Sequence, residues 1–133
     1  MRPKILAVDD SKTVRLIAQK VLADFDCEFH EATNGFTALF AMERALPDLI
    51  LLDVSMPTMG GIAMLGLLKS KPELKVIPVI MMTSASDHDV LAEITSLGVS
   101  GTVMKPFTPA SLLEKIRDVI KLKPLKPARL KRT

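Results

Sequence analysis

A chain of 133 residues with 48% apolar side chains is long enough to bury one domain core and too short for two. Tyrosine and tryptophan are absent and phenylalanine occurs five times, which argues against a base-stacking nucleic-acid surface, while a single cysteine excludes an internal disulfide or a cysteine-built zinc knuckle. The net charge of +3 is uneven: residues 121–133 hold six Lys or Arg and no acid, so the preceding body is mildly acidic.

Lys4 to Val8 predicts a first strand that runs into Asp9 and Asp10. Ser11 can cap the following helix, whose apolar residues Val14, Ile17, Val21 and Phe25 recur at steps of three and four. Cys27 to Ala32 reads as a second strand, with Cys27 buried and His30 facing solvent. Asn34-Gly35 turns the chain into a helix carrying Leu39, Met42 and Leu46, and Pro47 is expected to stop it.

Leu49 to Leu52 is an unbroken apolar run, as expected of a central strand covered on both faces. Met56 to Gly61 is rich in Pro and Gly and predicts a loop before a third helix marked by Ile62, Leu65 and Leu68. Pro78 stands at the mouth of a fourth strand, Val79 to Met82. Ser84, Ser86 and Asp87 are capping candidates for a helix bearing Val90, Leu91, Ile94 and Leu97, with His88 exposed at its start. A short fifth strand leads through Thr102 to Met104, and Leu112, Ile116, Val119 and Ile120 define a last helix. Met56, Met59, Met81, Met82 and Met104 are expected to fill gaps in an aromatic-poor core.

Strands alternating with helices predict an α/β fold with a parallel sheet. In such a sheet the carboxyl ends of the strands face one crevice, and there stand Asp9 and Asp10, Asp53, Thr83 and Lys105. Adjacent carboxylates call for a hard cation, and Mg²⁺ binds a few carboxylate oxygens while leaving positions for water or phosphate. Beside it Asp53 can serve as a carboxylate nucleophile toward a phosphoryl donor, Thr83 as a hydroxyl donor and Lys105 as a point charge. Taken singly each has a plainer reading: Asp10 as a helix cap, Asp53 closing a strand, Thr83 in a turn and Lys105 solvated.

Together the motifs Val8-Asp9-Asp10-Ser11, Leu51-Leu52-Asp53-Val54-Ser55-Met56-Pro57 with Gly60-Gly61, Met82-Thr83-Ser84-Ala85 and Met104-Lys105-Pro106-Phe107 resemble the receiver domain of two-component response regulators. The resemblance implies a flavodoxin-like (βα)5 doubly wound sheet of order 2-1-3-4-5 over residues 1–121, with 122–133 as a basic, Pro-containing flexible tail. It implies phosphorylation on Asp53 from a sensor histidine kinase or phosphotransfer protein. Asp10, Asp53 and the carbonyl of Ser55 would hold Mg²⁺ directly and Asp9 mostly through water, while Thr83 and Lys105 would bind phosphoryl oxygens. It further implies a cis Lys105-Pro106 bond. Thr102 stands where the family usually has an aromatic three residues before the lysine, so loop movement at Ser84 to Asp87 is expected to carry the switch. Ser55 and Ala85 are small, which predicts unhindered access of water to the acyl phosphate.

The expected protein is a cytoplasmic, stand-alone phosphorylation switch, a monomer or weak dimer, without a membrane span or direct DNA binding, and not an enzyme beyond its own phosphorylation and dephosphorylation. Its opening residues look most like receivers of chemotaxis and pilus-motility systems. The alternatives are an aspartyl-phosphate phosphatase-like enzyme, which needs a second acid where Ser55 stands, and a phosphorylation-independent binding module. The basic tail is read as solubilising, or as a contact for an acidic partner, membrane surface or nucleic acid.

Overall fold

Five parallel strands order as β2-β1-β3-β4-β5: β1 Lys4–Val8, β2 Glu28–Ala32, β3 Leu49–Asp53, β4 Val79–Thr83 and β5 Gly101–Met104. They belong to a computed structural model that describes residues 2–125, so most of the expected tail, from 126 onward, lies outside the described residues. Helices α1 Lys12–Leu22, α2 Gly35–Met42, α3 Gly61–Ser70, α4 Pro72–Lys75, α5 Leu91–Leu97 and α6 Pro109–Val119 join the strands, with a 3₁₀ turn at Ala85–Val90. This is the parallel α/β sheet that the alternation of elements predicts, in the strand order that the resemblance implies.

Side chains alternate across a strand, and here both faces are covered. Leu49 and Leu51 of β3 join Ile5, Ala7, Ile80 and Met82 in a core closed by α1 and α6. Ile50 and Leu52 join Leu6, Val8, Val79 and Met81 in a core closed by α2, α3 and α5. Every residue of β3 and β4 is buried, which explains why Leu49 to Leu52 shows no polar alternation. Each fully buried Leu or Ile contributes roughly 1.5–3 kcal/mol.

Local chemistry sets the helix boundaries. Ser11 accepts from the Val14 N–H and starts α1, and Asn34 with Thr37 forms a capping box at α2. α1 ends at Leu22, so Phe25 packs on the core from the following turn instead of continuing the stripe. α2 ends at Met42, short of Pro47, because the Glu43 and Arg44 N–H groups bond the carbonyls three residues back and tighten the last turn. Leu46 consequently lies outside the helix, 48% exposed.

Cys27 stands just before β2 and is half-buried, not within the strand, and burial raises its thiol pKa. The helix expected from Ser84 onward is divided into the 3₁₀ turn and α5. The short α4, opened by Pro72, was not legible as a separate element. Met81 and Met82 fill the core as expected, whereas Met104 points outward from the edge strand at 58% exposure.

The chain remains docked beyond Lys121. Leu122 is buried, Asp26 donates its N–H to the Lys123 carbonyl at 2.7 Å, and Leu125 donates to the Asp24 carbonyl at 3.1 Å. Phe25 and Pro124 form an antiparallel bridge there, so the first residues of the expected tail strap the α1–β2 turn.

Candidate functional site

Parallel register brings the last residues of β1, β3 and β4 to one rim: Val8 pairs with Leu52, Asp53 with Met82, and Thr83 with Met104. Asp9, Asp53, Thr83 and Asp87 are the buried polar residues described, and all four follow or end strands at this rim. Asp10 is exposed beside them.

Asp9 is fixed from several sides. Its N–H donates to the Ala32 carbonyl at 3.1 Å, and its Oδ1 accepts from the Ser11 N–H at 2.8 Å. Arg15, one turn into α1, donates from Nη1 to the Asp9 carbonyl at 2.7 Å and from Nε to Glu31 at 2.8 Å. Sequence reading assigned Arg15 no part, although helical spacing places it above the Asp9-Asp10 turn.

Lys105 bridges the carboxylates, with Nζ 2.9 Å from Asp53 Oδ1 and 2.6 Å from Asp9 Oδ2. The contact to Asp9 is an ion pair whose angles miss hydrogen-bond geometry, so Asp9 Oδ2 is buried without a directed donor. The Lys105 N–H donates to the Thr83 carbonyl at 2.6 Å, which fixes its backbone beside the end of β4. The next peptide, Lys105-Pro106, is cis as expected.

Burial pushes the Asp53 carboxyl up to about 6. The Lys105 hydrogen bond opposes that rise, and the charges of Asp9 and Asp10 add to it. Burial works against the Lys105 ammonium, but its contacts with Asp9 and Asp53 outweigh this and raise its pKa.

Carboxylate oxygens of Asp9, Asp10 and Asp53 lie within 4.8 Å of one another. Lys105 pairs with two of these three acids and, among the described residues, no cation pairs with Asp10, which leaves negative charge uncompensated, and Asp9 Oδ2 lacks a directed partner. An all-oxygen set of this kind suits a hard divalent cation such as Mg²⁺. His30 and His88, by contrast, are exposed and stand outside this cluster.

The β3–α3 loop requires glycine on its far side. A Cβ on Gly61 would lie 2.0 Å from the Asp53 carbonyl oxygen, a backbone overlap that no rotamer relieves. The loop also holds Thr58 at φ 70°, a strained conformation for a β-branched residue.

Ser55, two residues after Asp53, is exposed and donates its hydroxyl to Asp87 Oδ1 at 3.4 Å. Asp87 Oδ2 also accepts from the Ser84 N–H at 2.8 Å and the Ser84 hydroxyl at 3.0 Å. Asp87 thus ties the β3–α3 loop to the β4–α5 loop. Its capping role was legible in sequence; its reach across 32 residues to Ser55 was not.

The family model described as the response regulator receiver domain matches residues 5–117. The chain is 38% identical over 117 residues to Chemotaxis protein CheY-3 of Vibrio cholerae, covering 87% of this chain and 90% of that one. It is 36% identical to Sporulation initiation phosphotransferase F of Bacillus subtilis, covering 91% and 93%. The solved structure of chemotaxis response regulator CheY4 of Vibrio cholerae superposes with a TM-score of 0.83 at 32% identity, covering 90% of this chain and all of that one.

Proposed function

Because this chain belongs to the response regulator receiver family of two-component signalling, we propose that it is a Mg²⁺-dependent switch phosphorylated on Asp53. The observation that carries this reading is Lys105 paired with both Asp53 and Asp9 beside a cluster of three carboxylates. An ionised Asp53 oxygen attacks the phosphorus of a histidine kinase's or phosphotransfer protein's phosphohistidine. The O–P bond forms as the N–P bond breaks, and the electron pair leaves on the imidazole.

Lys105 stands ready to neutralise charge on the transferred group, and the Thr83 hydroxyl to donate to one of its oxygens. Asp10, Asp53 and the Ser55 carbonyl would hold Mg²⁺ directly, and Asp9 largely through water. When bound, Mg²⁺ supplies positive charge that favours ionised Asp53 and offsets charge on the phosphoryl oxygens.

Movement of Thr83 toward the phosphoryl group pulls Ser84, and with it the Asp87 link to Ser55. Thr102 is exposed on β5 and too small to follow as an aromatic ring would, so the β4–α5 loop carries the change to the surface. The output is altered binding to a downstream protein by a monomer or weak dimer, with no other substrate turned over. Relatives named for chemotaxis and for sporulation phosphotransfer fit an adaptor and a relay intermediate equally.

Incubation with Mg²⁺ and acetyl phosphate tests the reading. Intact-mass analysis should show one phosphoryl adduct in the wild type and none in Asp53→Asn. An adduct that persists in Asp53→Asn, or never forms in the wild type, would overturn it.

A further inference from the structure

Three of the five phenylalanines, Phe25, Phe29 and Phe107, pack against the core. The other two stand on α2 and point outward: Phe36 is 56% exposed and Phe40 63%. In a chain without Tyr or Trp, two exposed aromatics one turn apart serve no evident folding purpose.

Phe40 also forms a wall of a cleft of about 410 Å³ beneath the end of α2, floored by the buried side chains of Leu6 and Met42. Lys4, His30 and Arg44 complete its rim, and no carboxylate lines it. His30 faces Glu28 at 3.3 Å, but neither Lys4 nor Arg44 forms a side-chain salt bridge among the described residues. The Arg44 guanidinium stands 5.9 Å from the centroid of the Phe40 ring, which leaves a cation over an aromatic at the mouth. Lys4 begins β1, so the cleft opens at the amino end of the sheet, opposite Asp53.

Phe36 and Phe40 are spaced i, i+4 and lie along one side of α2, about 6 Å or roughly one helical turn apart, and Arg44 follows two residues past the helix end at Met42. Phe36 is not part of the cleft, so the exposed surface extends beyond anything a small ligand in the cleft would cover. From the apolar stripe, the cleft at its end and the unpaired cations around that cleft, we propose that α2 docks an acidic amphipathic helix of a partner protein. One apolar side chain of that helix enters the cleft, others lie along Phe36 and Phe40, and its carboxylates meet Arg44 and Lys4. Phe40 and the cleft, which carry most of this contact, lie toward the end of the sheet opposite Asp53, so docking persists when Asp53 cannot be phosphorylated.

The test uses the full chain, ¹⁵N-labelled, titrated with a panel of synthetic helical peptides of about 18 residues, long enough to hold helix alone. Each peptide carries Leu on one face and Glu on the other, and matched controls carry Lys in place of Glu. Amide shifts should centre on His30, Phe40 and Arg44, for wild type and Asp53→Asn alike, and only with the acidic peptides. Phe40→Ser and Arg44→Glu should each weaken binding at least about tenfold while forming the Asp53 phosphoryl adduct at the wild-type rate, which shows that the fold is intact. The proposal fails if no acidic peptide shifts these amides, if the lysine peptides bind equally, or if the two variants bind as wild type does. It fails equally if sedimentation shows a dimer that Phe40→Ser dissolves, because a second copy would then cover this face.

Discussion

The two ends of one sheet have opposite surfaces. At the carboxyl end the buried polar residues Asp9, Asp53 and Thr83 crowd around Lys105, with Asp87 just behind. At the amino end the cleft under α2 is apolar, with cations only at its rim. Between them β3 and β4 are buried throughout and apolar until their last residue. Parallel strands place all their carboxyl ends on one side, so charge that would be ruinous in the core can be concentrated where loops and solvent can serve it. The opposite end has no such convergence and is free to present an apolar contact surface.

The largest contrast should come from replacing one residue at each end. Asp53→Asn should abolish phosphoryl adduct formation from acetyl phosphate, whereas Phe40→Ser should leave its rate unchanged by stopped-flow or mass measurement. Next, Lys105→Ala should slow phosphorylation about a hundredfold, the scale of losing one charged group that stabilises a transferring anion. A comparable loss in a rim variant such as Arg44→Ala would erase the division between the two ends.

Gly61→Ala should destabilise the fold by about 2–4 kcal/mol in urea unfolding, since its Cβ would overlap the Asp53 carbonyl and force the β3–α3 loop to shift. It should also reduce phosphorylation by misplacing Asp53. Exposed Phe40→Ser should change stability by less than about 0.5 kcal/mol.

A smaller effect follows from the raised carboxyl. Asp53 is pushed from 3.8 to about 6, so folding favours its protonated form. The resulting stabilisation is complete below the unfolded value and is lost as pH rises through the folded one. In metal-free buffer wild-type stability should therefore fall relative to Asp53→Asn between about pH 4 and 6, by roughly 1–2 kcal/mol after solvent screening. Mg²⁺ should reverse much of this by binding the ionised site, raising the Tm of the wild type more than that of Asp10→Asn. An Asp53→Asn protein with an unchanged pH profile would show that burial does not strain this carboxylate.

Much of the fold was legible because its signals are local. The unbroken Leu49 to Leu52 run announced a strand covered on both faces, Ser11 and Asn34 announced helix starts, and the polar residues after each strand announced the rim. The errors arose where hydrophobic spacing continued past the point at which the backbone stopped. Phe25 and Leu46 keep the period of α1 and α2, yet both lie beyond the last helical turn. Thr83 and Lys105 were placed correctly at the rim, but Arg15 behind Asp9 and Asp87 against Ser55 depend on contacts between distant segments.

The sequence by itself determined the alternation of elements, the strand order through its resemblance to receivers, and the residue types at the carboxyl end of the sheet, because periodicity, capping and strand-end chemistry are written in neighbouring residues. Tertiary structure alone decided that Lys105 spans Asp53 and Asp9, that Gly61 must lack a Cβ, and that Phe36 and Phe40 are left uncovered. Each of these depends on how close two separately folded segments come, a distance set by packing of the whole chain and by no local pattern.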